Sequence, residues 1–156
     1  PEMASTGPYI PPQDRIKLYS ADEWEKFIQE WAFHLKEKYQ DVIKCSGAGD
    51  KGRDVIADLK NTKNNEWVNF QCKHYDHALQ PEDIWSEIGK FCYYTSINEY
   101  SLPFEYFFVA PQGAGPKLST LIRQPGKLKK ELSSSTRNDL SGLLGKIKNA
   151  KFFKRN

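Results

Sequence analysis

Gly47-Ala-Gly49-Asp50-Lys51-Gly52-Arg53-Asp54-Val-Ile-Ala-Asp58-Leu59, then a polar connection, then Asn69-Phe-Gln71-Cys72-Lys73-His74-Tyr75: this stretch decides how the rest of the chain is read. A turn-rich loop delivers an acid into an apolar run. A second apolar run ends in an amide and a lysine two residues apart. Buried strands rarely carry acids and lysines without a reason. Side chains alternate along a strand, so Val68, Phe70 and Cys72 point one way, into the core, and Asn69, Gln71 and Lys73 point the other. Asp54, Ile56 and Asp58 share a face of the preceding strand. If the two strands pair as a hairpin, Asp54 lies near Gln71 and Lys73.

That set suits phosphodiester hydrolysis. A hard divalent cation takes oxygen ligands, which the Asp54 carboxylate, the Gln71 side-chain oxygen and the Cys72 backbone carbonyl supply. The ion polarises the phosphate and acidifies a bound water. Lys73 orients or deprotonates that water, or neutralises charge on the phosphate. The plainer alternative is that Asp54 caps the glycine turn while Gln71 and Lys73 face solvent on an edge strand. The spacing Gly47-x-Gly49-x-x-Gly52 also matches a dinucleotide-binding loop, but that motif needs a helix after it. Here a strand-like run follows, and Asp50 would sit beside the phosphates.

The surrounding chain fits one α/β domain. It has 156 residues, 38% hydrophobic and 28% charged, an ordinary globular composition. No apolar run approaches a membrane span and no signal peptide precedes the first periodic segment. Cys45, Cys72 and Cys92 form no CxxC pair, so reduced thiols and a cytoplasmic setting are expected. The start at Pro1, without Met, leaves room for a partner domain outside this sequence. Net charge is +3, unevenly spread: residues 1–116 hold 12 Lys/Arg against 18 Asp/Glu, and residues 117–156 hold 11 against 2. A basic tail beside an acidic body is expected of a chain that meets a polyanion. A solvated tail that binds nothing is the alternative.

Residues 1–19, with four prolines, read as an extended arm. Ser20-Ala-Asp-Glu23 has capping-box spacing. The helix it opens carries Trp24, Phe27, Ile28, Trp31 and Leu35 on one face and should run to Lys38 or Tyr39. Glu25 and Glu30 flank that stripe, about 100° to one side of Trp24 and about 120° to the other. Either can look into a site. Strands are expected over residues 41–46, 53–59, 66–74 and 104–110. A helix opens at Gln80-Pro81, with Ile84, Trp85, Ile88, Phe91 and Cys92 on its apolar face. A short helix around Leu118, Leu121 and Ile122 ends before Pro125. After a break at Ser133-Ser-Ser-Thr136, Leu140, Leu143, Leu144 and Ile147 mark a last amphipathic helix beside Lys146, Lys148, Lys151, Lys154 and Arg155. Residues 20–116 then form the core of a central mixed sheet flanked by helices, and 117–156 a basic helical extension that can track a nucleic-acid backbone.

Other candidates are thinner. Lys51, Arg53 and His74 sit beside the proposed site and can touch phosphates. Asp58 can assist Asp54. His74 and His77 have H-x-x-H spacing, but no further ligand pattern completes a zinc site.

Asp54 with Gln71-x-Lys73 resembles the PD-(D/E)xK nuclease signature in its QxK form. Trp24-Glu25, Gly49-Asp50-Lys-Gly52-Arg-Asp54-Val and Gln71-Cys72-Lys73-His-Tyr75, in this order, resemble the Mrr-like branch of restriction endonucleases. The likeness covers residues 22–95 and extends to the N-terminal nuclease modules of bacterial anti-phage effectors. It implies a restriction-endonuclease-like fold, Mg²⁺ (or Mn²⁺) as cofactor and double-stranded DNA as substrate in bacterial or archaeal defence. It implies pairing into a homodimer where both strands are cut. Carried over, Asp54 and Gln71 are metal ligands, Lys73 is the catalytic lysine, and Glu25, or Glu30, is the helix acid. Gln71 replaces the commoner acid, so weaker metal binding is expected unless Glu25 contributes. Two alternatives stay open: a catalytically silent nucleic-acid-binding module of the same fold, and an RNA or repair-junction nuclease.

Overall fold

The computed structural model describes residues 7–45, 47, 49–135 and 150–152. The chain runs α1 (Pro12–Arg15), a 3-10 turn (Ile16–Leu18), α2 (Ala21–His34), β1 (Tyr39–Lys44), β2 (Val55–Leu59) and β3 (Trp67–Cys72). It continues α3 (Pro81–Ser96), β4 (Glu105–Val109), α4 (Pro116–Ile122), α5 (Pro125–Ser135) and β5 (Ala150–Phe152). The fold is α/β, a mixed sheet with helices packed on it, as expected.

The strands lie in sequence order, β1-β2-β3-β4-β5. β1–β2 and β2–β3 pair antiparallel, while β3–β4 and β4–β5 pair parallel. The change of direction follows from the connections. A tight turn through Asn61 and Asn65, both at positive φ, joins β2 to β3. Parallel β3 and β4 need a crossover, which α3 supplies.

The helix starts are written locally. Ser20 Oγ accepts from the Glu23 backbone N–H, and Glu23 Oε2 accepts from the Ser20 N–H at 2.7 Å, so the capping box of α2 is complete. Pro81 stands at the first turn of α3, and Asp83 Oδ2 accepts from the Gln80 N–H at 2.7 Å.

Two apolar clusters sandwich the sheet. Trp24, Ile28 and Ala32 of α2 pack on Val55, Ala57, Val68, Phe70 and Val109. Ile84, Ile88, Phe91 and Cys92 of α3 pack with Leu118 of α4 on Tyr106 and Phe108. β3 therefore lies between β2 and β4, covered on both faces, and Trp67 through Gln71 are all buried. This overturns the edge-strand alternative for Gln71.

Several boundaries differ from the sequence reading. The extended arm is helical in part: Pro12 opens α1, its missing N–H costing nothing there. α2 stops at His34, four or five residues early, because Leu35 leaves helical geometry (φ −82, ψ 52) as the chain turns into β1. β2 and β3 are shorter than expected, since Asp54 and Lys73 fall just outside the ladder. α5 runs through Ser135, across the expected break. The helix expected around Leu140–Ile147 lies outside the described residues. The C-terminal extension is not wholly helical: Ala150–Phe152 adds a strand beside β4.

Candidate functional site

The β2–β3 register pairs Val55 with Phe70. One step further sets Asp54 across from Gln71. The loop before it is pinned rather than merely turned. Asp50 Oδ1 accepts from the Gly52 N–H at 2.9 Å, and the Cys45 N–H donates to the Asp54 carbonyl at 2.7 Å. Gly52 has φ +75, and a Cβ there would stand 3.1 Å from Lys90 Cβ on α3. Glycine is needed for both reasons.

Asp54 and Gln71 meet directly. Gln71 Nε2 and the Cys72 backbone N–H both donate to Asp54 Oδ2, each at 2.7 Å. Gln71 Oε1 accepts from the Tyr106 hydroxyl at 3.1 Å. Gln71 is thus a buried bridge between Asp54 and Tyr106, and it shows its nitrogen, not its oxygen, to Asp54. Burial pushes the Asp54 carboxyl up to about 6. The Cys72 N–H opposes this, the negative charges of Glu25 and Glu87 add to it, and Lys73 opposes it. Burial also pushes the Tyr106 hydroxyl well above its usual range, so it stays a neutral O–H.

Lys73 leaves the end of β3 and reaches α3. Its Nζ lies 2.9 Å from Glu87 Oε1, and Lys90 Nζ approaches the same oxygen at 3.3 Å. Burial works against the Glu87 carboxylate, yet the hydrogen bond and charge of Lys73, with Lys90, hold its pKa below the usual value. Glu87 was missed in the sequence. Its signal was present: it falls on the apolar stripe of α3 between Ile84 and Ile88, where a glutamate is out of place.

The helix acids separate. Glu25 is half-buried next to the core residue Trp24, pairs with Lys44 Nζ at 3.3 Å, and acts on Asp54. Lys44 also pairs with Asp22. Trp24 fixes the start of α2 by donating Nε1–H to the Val109 carbonyl at 3.0 Å. Glu30 is exposed, about 140° further round the helix.

The expected phosphate contacts are engaged elsewhere. Lys51 pairs with Glu99. The Arg53 guanidinium lies over the Tyr100 ring, 4.5 Å from its centroid, and 6.0 Å from that of Trp67. His74 Nε2 lies 2.9 Å from the Ile16 carbonyl, with its ring edge-on to Trp24. His77 sits between Asp76 and Asp83, so the two histidines do not share one centre. Asp58 lies at the far end of β2, opposite Asp41 and Trp67, away from Asp54. Burial pushes the Cys72 thiol far above its usual range, which disfavours the thiolate.

A cleft of about 740 Å³ opens between α2, α4 and the chain after β4, lined by Trp24, Phe27, Ile28, Trp31 and Ile122 among others. Asp54, Gln71, Lys73 and Glu87 do not line it, so the polar cluster and the apolar cleft are separate features.

Does the cluster suit a divalent cation? Among the described residues no three His, Cys, Asp or Glu side chains form a ready ligand group. The donors are instead one carboxylate, one amide and one backbone carbonyl. Asp54 Oδ1 takes part in no hydrogen bond among the described residues, and Asp54 carries a charge its surroundings disfavour. In kind, this oxygen set suits a hard cation, with the Gln71 amide turned the wrong way. No family model, curated protein sequence or solved structure matches this chain.

Proposed function

We propose that the chain is a metal-dependent endonuclease that hydrolyses DNA phosphodiester bonds. What carries the reading is one juxtaposition: Gln71 donates to Asp54 across neighbouring chain segments, while the charges of Lys73, held by Glu87, and of Glu25 act on Asp54. The resemblance to the QxK form of the PD-(D/E)xK signature points the same way.

Asp54, the Gln71 side-chain oxygen and the Cys72 carbonyl, helped by Glu25, would hold Mg²⁺ or Mn²⁺. Such an ion supplies polarisation of the phosphate and a more acidic water. Lys73 is an ion-paired ammonium beside Asp54. Its role is to stabilise negative charge building on the phosphate, in a partly desolvated place where that interaction is strong. Glu87 keeps that ammonium aimed. Double-stranded DNA as the substrate, a homodimer, a sensor domain and a role in bacterial defence belong to the same proposal.

One observation favours the silent nucleic-acid-binding alternative. Gln71 offers Asp54 a hydrogen-bond donor, which satisfies the carboxylate without any cation. Plasmid DNA with Mg²⁺ separates the two. On the nuclease reading the wild type should nick or linearise it, and Lys73→Ala should cut at least a hundredfold more slowly. Binding without cleavage by both proteins would establish the silent module. Cleavage of RNA or junctions alone would redirect the substrate.

A further inference from the structure

We propose that the apolar cleft between α2 and α4 binds an unpaired nucleotide of a single-stranded nucleic acid, with the base against the aromatic wall and the phosphate on Arg123. This goes beyond the nuclease reading above. It needs neither a cation nor cleavage, and none of Asp54, Gln71, Lys73 and Glu87 lines the cleft.

The cleft holds about 740 Å³, inside the roughly 300–1,000 Å³ usual for sites that enclose a small ligand. Three aromatic side chains of α2 line it. Trp24 is buried, and Phe27 and Trp31 are half-buried. The Trp24 and Phe27 rings stack 5.5 Å apart at 15° to one another. Such walls suit a flat ring, and stacking tolerates any base because every base has a π-face. The polar groups of the lining complete the match. Among the described residues, neither the Gln112 carboxamide nor the Arg123 guanidinium makes a hydrogen bond or ion pair. An amide offers donors and an acceptor to a base edge, and a guanidinium takes a phosphate. No acidic side chain lines the cleft, so an anion meets no opposing carboxylate there.

The chain beyond Arg123 selects a strand over a free nucleotide. Lys127, Lys129 and Lys130 of α5 are exposed, against one acid, Glu131. An aromatic recess with a basic flank is how a single strand is held without sequence preference. A base inside a duplex has its edge paired and its faces stacked, so only an unpaired one can enter. A fatty acid would also use Arg123, but it would leave the Gln112 amide unused. One atom links the cleft to the polar cluster. The Val109 carbonyl, at the end of β4, accepts from Trp24 Nε1–H at 3.0 Å and from the Lys73 backbone N–H at 2.9 Å. Val109 and Trp24 line the cleft. A strand anchored there is therefore held at the end of the sheet where Lys73 stands.

The test uses the full chain in EDTA, so that no cleavage intervenes. Fluorescence anisotropy compares a short labelled deoxyoligonucleotide, its duplex, and a strand of the same length with abasic sugars throughout. Tryptophan emission follows the unlabelled strands. The single strand should bind more tightly than the abasic one and quench the emission, and the duplex should not quench it. Trp31→Ala should weaken single-strand binding about tenfold and leave duplex binding unchanged. Arg123→Ala should lower the salt slope of single-strand binding by about 0.7. Equal weakening of single strand and duplex by Trp31→Ala, or weakening of neither, would overturn the proposal. Should Trp31→Ala not fold, the wild type decides: normal and abasic strands that bind alike, or an unchanged emission, would refute the stacked base. Laurate that quenches where the single strand does not would assign the cleft to an apolar acid instead. The nuclease reading fails separately, by an absence of plasmid cleavage, and neither result alters the other.

Discussion

Lys73 Nζ lies 2.9 Å from Glu87 Oε1, and the two side chains keep only 13% and 11% of their exposure. The strand end and the middle of α3 are tied by this pair, which makes Glu87 a determinant of where the lysine points. Removing one partner of a mostly buried pair leaves the other charge uncompensated. Glu87→Ala should cost about 2–3 kcal/mol in urea denaturation, less than a fully buried pair because Lys90 and some solvent remain. Glu87→Gln keeps an acceptor but not the charge. It should slow plasmid cleavage about tenfold or more while the protein stays folded. An unchanged rate would remove Glu87 from the site.

Asp54 gives the protein an unusual pH response. Its folded pKa of about 6 stands above the 3.8 of the unfolded chain. The folded state therefore binds its proton more tightly, and the group costs stability as pH rises. The penalty is absent below about pH 3.8, grows between the two values and is full above about pH 6. At full size it is about 1–3 kcal/mol, discounted for partial solvent access. Asp54→Asn retains an acceptor for Gln71 and Cys72 without the charge. It should raise the metal-free melting temperature at pH 8, and by clearly less at pH 4.5. A gap that does not change with pH would contradict the buried-charge account.

Arg53 and Lys51 are committed within the fold. Arg53→Lys loses the flat stacking on Tyr100 and should destabilise by about 0.5–1 kcal/mol. The salt dependence of duplex binding, followed by fluorescence anisotropy, should not change. A slope reduced by about one unit would restore Arg53 as a phosphate contact.

Gly52→Ala separates a packing role from a phosphate-cradling one. The left-handed φ of +75 and the 3.1 Å approach to Lys90 Cβ together predict a loss of about 1–3 kcal/mol. Nucleotide affinity, by equilibrium dialysis with a dinucleotide, should be negligible in both proteins. Binding by the wild type alone would revive the dinucleotide loop.

What the sequence by itself determined was local or periodic. The Ser20–Glu23 capping box, Pro81 at the start of α3, the apolar stripes of α2 and α3 and the alternation along β3 follow from contacts a few residues long. The α/β class follows from their order. The meeting of Asp54 with Gln71 was legible too, because a hairpin register and a period of two place them opposite one another. Glu87 was only half legible, as an acid on an apolar stripe whose partner was not visible.

Tertiary structure decided the rest. β4 docks in parallel on β3 across the α3 crossover, and that converts an alternating strand with one polar face into one buried on both. Burial then turns Gln71 from a surface amide into a bridge with fixed ends and raises the Asp54 pKa. Which glutamate of α2 faces the site depends on how that helix rotates over the sheet, and the Trp24 bond to the Val109 carbonyl sets this across 85 residues of sequence. Lys51, Arg53 and His74 found partners in Glu99, Tyr100 and Ile16, which no short-range pattern links to them. Side-chain chemistry is written in the chain, but desolvation and charge pairing depend on neighbours that only the folded packing supplies.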